Sequence, residues 1–106
     1  MSKIFVVKRI YKDINRGDVK LDYSEVHIDK ILDCKEKVIE YIRAAIEKEH
    51  KWVDEYDPHG LNFVKYYIPD VINENEDIAA YESYGIFRLF MGCSGVYYNY
   101  ISMEIE

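Results

Sequence analysis

An α+β fold follows from three features of the sequence: a two-layer sandwich in which an antiparallel sheet of four or five strands carries one main helix. The first feature is a pair of β-branched segments, 4–11 and 25–29, separated by a polar turn. The second is an apolar stripe at helical spacing over about 34–50, placed behind a capping signal. The third is an aromatic and β-branched run over 86–106, broken at Gly92-Cys93-Ser94-Gly95. With 106 residues the chain is the length of one domain, 1–106, and should bury roughly 65% of the surface its unfolded form exposes.

Ile4, Phe5, Val6, Val7, Ile10 and Tyr11 read as a strand buried on both faces near its start. The turn signal over 13–18 includes Asn15 and Gly17, both tolerant of positive φ. Val26 and Ile28 then alternate with Glu25, His27 and Asp29, the period of a half-exposed strand, which completes an N-terminal hairpin. Asp33 and Glu36 form a capping box that starts a helix at Cys34. Its buried stripe is Val38, Ile42, Ala45 and Ile46, and Lys48, His50 and Lys51 place positive charge at the negative end of the dipole.

Two readings stay open after Trp52. Residues 61–68 form a strand rich in Phe, Val, Tyr and Ile, or Asp57-Pro58 starts a helix that carries Leu61, Val64 and Ile68. Asn73 with Glu76 resembles a second cap, and Ile78, Ala79, Tyr81 and Tyr84 before Gly85 would make a short second helix. The C-terminal run reads as a hairpin of 86–91 and 96–106 around the loop 92–95. In its last strand Tyr97, Asn99, Ile101, Met103 and Ile105 share one face, expected under the helix. Val96, Tyr98, Tyr100 and Ser102 share the other, expected to be only partly covered.

Charge and composition limit the function classes. At 49% hydrophobic with two cysteines and a net charge of −6, the chain is neither disordered nor a disulfide scaffold. No apolar stretch approaches the ~18 residues of a spanning helix, and the short run at 4–7 lacks the pattern of a signal peptide. A cytoplasmic protein with reduced thiols at Cys34 and Cys93 is expected. The charge is uneven. Residues 1–53 hold 12 Lys+Arg and 10 Asp+Glu, whereas 54–106 hold Lys65 and Arg88 against ten carboxylates. The second half also holds eight of the eleven tyrosines.

Enzyme chemistry finds little support in the motifs. His50, Asp54, Asp57 and His59 fall within ten residues and offer imidazole and carboxylate, but their spacing matches no ligand motif, so no metal and no other cofactor is expected. Gly92-Cys93-Ser94-Gly95 is not the G-x-S-x-G elbow, and no phosphate-binding glycine pattern occurs. Cys34 lies at a helix N-terminus, where the flanking Asp33 and Glu36 oppose thiolate formation. Lys3, Lys8, Arg9, Lys12, Arg16 and Lys20 are interleaved with acids in an acidic protein, which disfavours direct nucleic-acid binding.

Tyrosine supplies stiff contact area with a polar tip, and carboxylates steer encounter with basic partners. The expected partner-binding residues are therefore Asp70, Glu74, Glu76, Asp77, Tyr81, Glu82, Tyr84, Tyr98 and Tyr100. In size, charge and tyrosine content, with no shared motif, the chain resembles the small acidic phage-encoded anti-defence proteins of the anti-CRISPR type. That resemblance implies a non-enzymatic inhibitor that presents its acidic surface to a basic site on a host nuclease or defence complex, such as a nucleic-acid groove. The alternative is a dimeric α+β domain that pairs by its sheet face and holds a small ligand or metal between helix and sheet. A hydrolase using the His50 to His59 region is a third reading.

Overall fold

The computed structural model describes residues 2–16, 22–87 and 90–105. In chain order the elements are β1 (Ser2–Arg16), β2 (Asp22–Leu32), α1 (Lys35–Tyr56), β3 (Phe63–Lys65), β4 (Ile78–Phe87) and β5 (Phe90–Ile105). The strands form one antiparallel sheet in the order β2-β1-β5-β4-β3, with α1 packed on one face, which is the expected two-layer α+β sandwich. The radius of gyration is 15.7 Å, larger than the ~13 Å usual for this length, and the shortest dimension is 19 Å. A thin plate of this kind leaves much of one sheet face without a covering layer.

Strands β1 and β5 make the centre of the sheet, in register from Ser2↔Ile105 to Arg16↔Met91. Val7, Arg9 and Tyr11 lie opposite Tyr100, Tyr98 and Val96, and these six side chains point toward α1. The sequence expectation for β5 is therefore reversed: the Val96, Tyr98, Tyr100 face is the buried one, and the Tyr97, Asn99, Ile101, Met103 face points away from the helix. The reason is volume and hydrogen bonding. The helix offers small and medium side chains, Val38, Ile42, Ala45 and Ile46, which leave depth for large rings from below. The ring hydroxyls find acceptors at the layer's edge, Tyr98 in the Glu49 carboxylate at 2.9 Å and Tyr100 in the Ile72 carbonyl at 3.3 Å.

Helix α1 begins at Lys35 with Cys34 as its N-cap, and no side chain caps it. Asp33 reaches forward to Lys37 at 3.1 Å instead, and Glu36 accepts from the Cys34 thiol, so the expected capping box does not form. The helix also runs on to Tyr56, past the expected end near 50, because Val53 continues the buried stripe and Trp52 stacks against Tyr81 at 5.6 Å between ring centroids. Lys48, His50 and Lys51 consequently lie within the helix, and its last turn contains no basic residue.

Asp57 ends α1 and redirects the chain. Its carboxylate accepts from the N–H groups of Leu61 (3.0 Å), Asn62 (2.8 Å) and Phe63 (3.0 Å), while Gly60 takes φ +64°. The bonds from Asn62, Leu61 and Phe63 outweigh burial and hold the Asp57 carboxyl below its ordinary value of 3.8. A carboxyl lowered in the folded state stabilises above its unfolded pKa, and that contribution is lost as pH falls through the folded value. Amide protons of Leu61, Asn62 and Phe63 should thus lose exchange protection on acidification below about pH 4, ahead of those in β1 and β5, as read by NMR exchange.

Three further expectations are corrected. Of the open choice over 58–68, the strand is realised, but only across Phe63–Lys65. The short second helix is absent, since 78–87 is strand β4, paired with β5 from Ile78↔Tyr98 to Phe87↔Phe90. Ladder bonds to β5 and burial of Ile78, Ala80 and Tyr81 decide the matter, and the Asn73–Glu76 pair closes a side-chain bond of 3.0 Å in the preceding turn. Residues 92–95 are no loop. They lie inside β5, with Ser83↔Ser94 and Tyr84↔Cys93 in register, and the connection falls at 88–89, outside the described residues. The N-terminal hairpin forms as expected, but 13–16 of the expected turn over 13–18 belong to β1, with Asp13↔Tyr23 and Ile14↔Asp22 in register, and 17–18 lie outside the described residues. Its second strand, however, is exposed on both faces because it is the sheet edge beyond the helix.

Among the described residues, no helix is long and apolar enough to cross a membrane.

Candidate functional site

The face of the sheet opposite α1 divides into two regions by chemistry. Toward β2 and β1 it is aliphatic, with Ile4, Val6, Ile10, Val26, Ile28 and Ile31. Toward β3 and β4 it carries tyrosines and carboxylates. Register sets this up: Val64 lies opposite Glu82, Glu82 opposite Gly95, and Tyr84 opposite Cys93, so these side chains share the open face.

Glu82 organises the second region. Its carboxylate accepts from the hydroxyls of Tyr66, Tyr97 and Tyr84, the last at 2.9 Å, and the Cys93 sulfur lies 3.8 Å away. Burial alone would raise the Glu82 carboxyl, but the hydroxyls of Tyr66, Tyr97 and Tyr84 outweigh it and lower the pKa below its ordinary value of 4.5. Glu82 stays anionic, and the phenols that donate to it are harder to ionise. Burial and then the Glu82 bond raise Tyr97, and the Glu82 bond raises Tyr66. The arrangement fixes rings in place.

Gly95 makes room for this cluster. A Cβ there would meet the Tyr97 hydroxyl at 2.9 Å, Glu82 Cγ at 3.0 Å and the Tyr81 carbonyl at 3.0 Å. Because one of these is backbone, relaxation is limited, and Gly95→Ala should cost about 1–3 kcal/mol in chemical denaturation.

A shallow pocket of about 200 Å³ adjoins the cluster, lined by Tyr66, Tyr67, Pro69, Val71, Glu76, Asp77, Ile78 and Ala79. Tyr66 belongs to both, so the cluster and the pocket form one continuous surface. Tyr67 is 82% exposed and Val71 71%, and further along the same stretch of chain Tyr56 is 70% and Leu61 80% exposed.

The nine residues expected to bind a partner divide clearly. Tyr81, Tyr98 and Tyr100 are 8%, 3% and 2% exposed and belong to the core, so much of the tyrosine enrichment serves packing. Asp70, Glu74, Glu76, Asp77 and Tyr84 are exposed, and Glu82 is half-buried in its cluster. Two of the acids also hold the fold together. Glu74 accepts from the Ser102 amide and hydroxyl, and Asp77 pairs with Lys12 at 2.7 Å and accepts from Asn99 at 2.7 Å. Tyr56, Leu61, Val64, Tyr67 and Val71 were not anticipated. For the four in 61–71 the signal was the ambiguity of that stretch, which fits a strand and a helix alike and sends only Phe63 and Ile68, both partly buried, against the core.

The His50 to His59 group is dispersed among other partners. His50 Nε2 donates to the Ala80 carbonyl at 2.9 Å, Asp54 pairs with Lys65 at 2.6 Å, and Asp57 is occupied by three amides. Among the described residues no group of three or more His, Cys, Asp or Glu is placed to hold a metal. Between α1 and the β1–β2 side of the sheet lies a larger cleft of about 480 Å³, lined by Arg9, Asp29, Tyr41, Ala44, Ala45, Lys48, Glu49, Trp52 and Tyr98. At its floor Glu49 takes both Arg9 and Tyr98 at 2.9 Å.

No family profile, curated protein or solved structure gives a significant match to this chain.

Proposed function

We propose that this is a non-enzymatic binding protein whose acidic, tyrosine-rich surface at the β3–β4 end engages a basic site on a partner protein. One observation carries the reading. Residues 54–87 hold eight carboxylates against Lys65 alone, and the same stretch leaves Tyr56, Leu61, Val64, Tyr67, Val71 and Tyr84 exposed. Large rings give contact area, with Tyr84 held by its bond to Glu82 and Tyr56 stacked on Trp52, and the surrounding carboxylates select for a cationic partner. A nucleic-acid-binding groove, as on a nuclease that a phage-encoded inhibitor would block, has the matching chemistry.

Competition tests the reading. Partners retained by the immobilised protein at low salt should be basic, and free DNA or RNA should displace them. A retained set that is acidic, or that ignores nucleic-acid competitor and salt, contradicts it.

The helix–sheet cleft favours a second reading, a small-ligand binding domain. Its ~480 Å³ lies in the range of ligand sites. Trp52, the sole tryptophan, lines it and gives a direct readout. Native mass spectrometry of protein from its source should then find a retained small molecule, and its removal should change Trp52 emission. A mass equal to the bare chain rejects this second reading.

A further inference from the structure

We propose that the protein pairs with a second copy of itself by antiparallel addition of β2 to β2, joining two sheets into one of ten strands. The β2 strand is the sheet edge, eleven residues long, and residues 23–31 are all exposed. Alternate residues of an edge strand point N–H and C=O away from the sheet, and natural edges of this length are usually blunted by lysine, proline or a bulge. Here Lys30 and a bulge blunt only the C-terminal end of the edge, and 23–28 contains no lysine, proline or bulge. The single bulge comes after it, where Val7↔Lys30 gives way to Lys8↔Ile28.

The side-chain pattern selects the second copy over a foreign strand. On the helix side of β2 stand Tyr23, Glu25, His27 and Asp29, and on the open side Ser24, Val26 and Ile28. Antiparallel pairing about a two-fold axis must bring like faces together, so the axis passes through a residue. An axis at Glu25 sets that carboxylate against its own copy. One at His27 sets Glu25 against the partner's Asp29, and one at Ile28 runs the ladder through the bulge on both sides.

An axis at Val26 opposes no like charges and keeps the central ladder, 24–28 on both copies, clear of the bulge. It places Glu25 against the partner's His27 twice over, Ser24 against the partner's Ile28, and Val26 against the partner's Val26. These are the cross-strand pairings that stabilise sheets. The same step buries open-face apolar surface now in solvent, with Val26 54% and Ile28 67% exposed. Within one chain His27 Nε2 already lies 2.6 Å from Glu25, which holds both side chains along the edge. The pairing uses the edge opposite β3, so each end of the dimer would offer one acidic, tyrosine-rich surface, and the two proposals stand or fall separately.

Sedimentation equilibrium of the full chain and of two charge variants tests the register. The wild type should be dimeric at ~100 µM, where a Kd of about 10 µM leaves most chains paired. Glu25→Lys and His27→Glu, both at exposed positions, should each weaken dimerisation by about tenfold or more with unchanged far-UV circular dichroism. An equimolar mixture of the two variants should recover dimer, because lysine at 25 then faces glutamate at 27 and native His27 faces native Glu25. A monomeric wild type, single variants that dimerise like wild type, or a mixture that stays monomeric overturns the proposal. So does an edge that takes a strand from another protein while two copies fail to pair.

Discussion

Replacing Glu82 by alanine should lower the free energy of unfolding by about 3 kcal/mol, since it strands two partly buried hydroxyls at roughly 1.5 kcal/mol each. Those hydroxyls belong to Tyr66 and Tyr97. Tyr84, half exposed, turns to water at little cost. In thermal unfolding a loss of this size amounts to a fall of roughly 15 °C for a domain of about 100 residues. The mechanism has its own control. Glu82→Leu combined with Tyr66→Phe and Tyr97→Phe removes donors and acceptor together, and should recover most of the loss, whereas Glu82→Leu alone should not.

The pH dependence of this cluster has a definite sign on each side. Glu82 is lowered in the folded state, so its contribution is present above the unfolded value of 4.5 and is lost as pH falls through the folded value. Tyr66 and Tyr97 are raised above 10.0, so theirs is complete below pH 10 and is lost as pH climbs through their folded values. Wild-type stability should therefore decline above pH 10 by more than that of the Glu82→Leu, Tyr66→Phe, Tyr97→Phe variant, as measured by urea unfolding across the alkaline range.

Combining Tyr67→Ala with Asp70→Lys and Glu76→Lys should reduce affinity for the partner at least about 100-fold while leaving the fold intact. Tyr67 is 82% exposed, and Asp70 projects fully into solvent with Arg43 3.8 Å away. Glu76 is exposed and accepts from the neighbouring Asn73 side chain at 3.0 Å, so none of the three supports the core. Truncating a central aromatic costs about 2 kcal/mol or more at a hot spot, and two charge reversals add repulsion against a basic surface. Glu74 and Asp77 are the wrong positions for this experiment, since their loss would free Ser102, Lys12 and Asn99 and confuse instability with lost binding. Retained affinity with unchanged circular dichroism would remove this surface from the interaction.

The fold was legible where local period and tertiary environment agree. Val38, Ile42 and Ile46 read as a helix stripe and are fully buried, and the β1–β2 pairing was plain from the alternation of β2, although the turn signal at 13–18 overlaps the end of β1. The readings that failed were those that long-range pairing decides. Residues 78–84 carry a stripe a helix could use, but β5 offers a ladder and buries Ala80 and Tyr81, which no local rule registers. The faces of β5 were inverted for a related reason. Aliphatic content pointed to the core, whereas Glu49 and the Ile72 carbonyl supply the acceptors that let Tyr98 and Tyr100 be buried instead. Glu82 was singled out as one acid among nine candidates. Its three hydroxyl partners come from three different segments, a convergence invisible in sequence.

Hydrogen–deuterium exchange of the protein alone and bound to its captured partner tests the central claim, that the β3–β4 end is the binding surface. Peptides covering 61–77, whose backbone is largely outside regular structure, should exchange more slowly in the complex, together with those covering β4, while peptides over 35–56 in α1 stay unchanged. Protection confined to α1, with 61–84 exchanging as in the free protein, would contradict it.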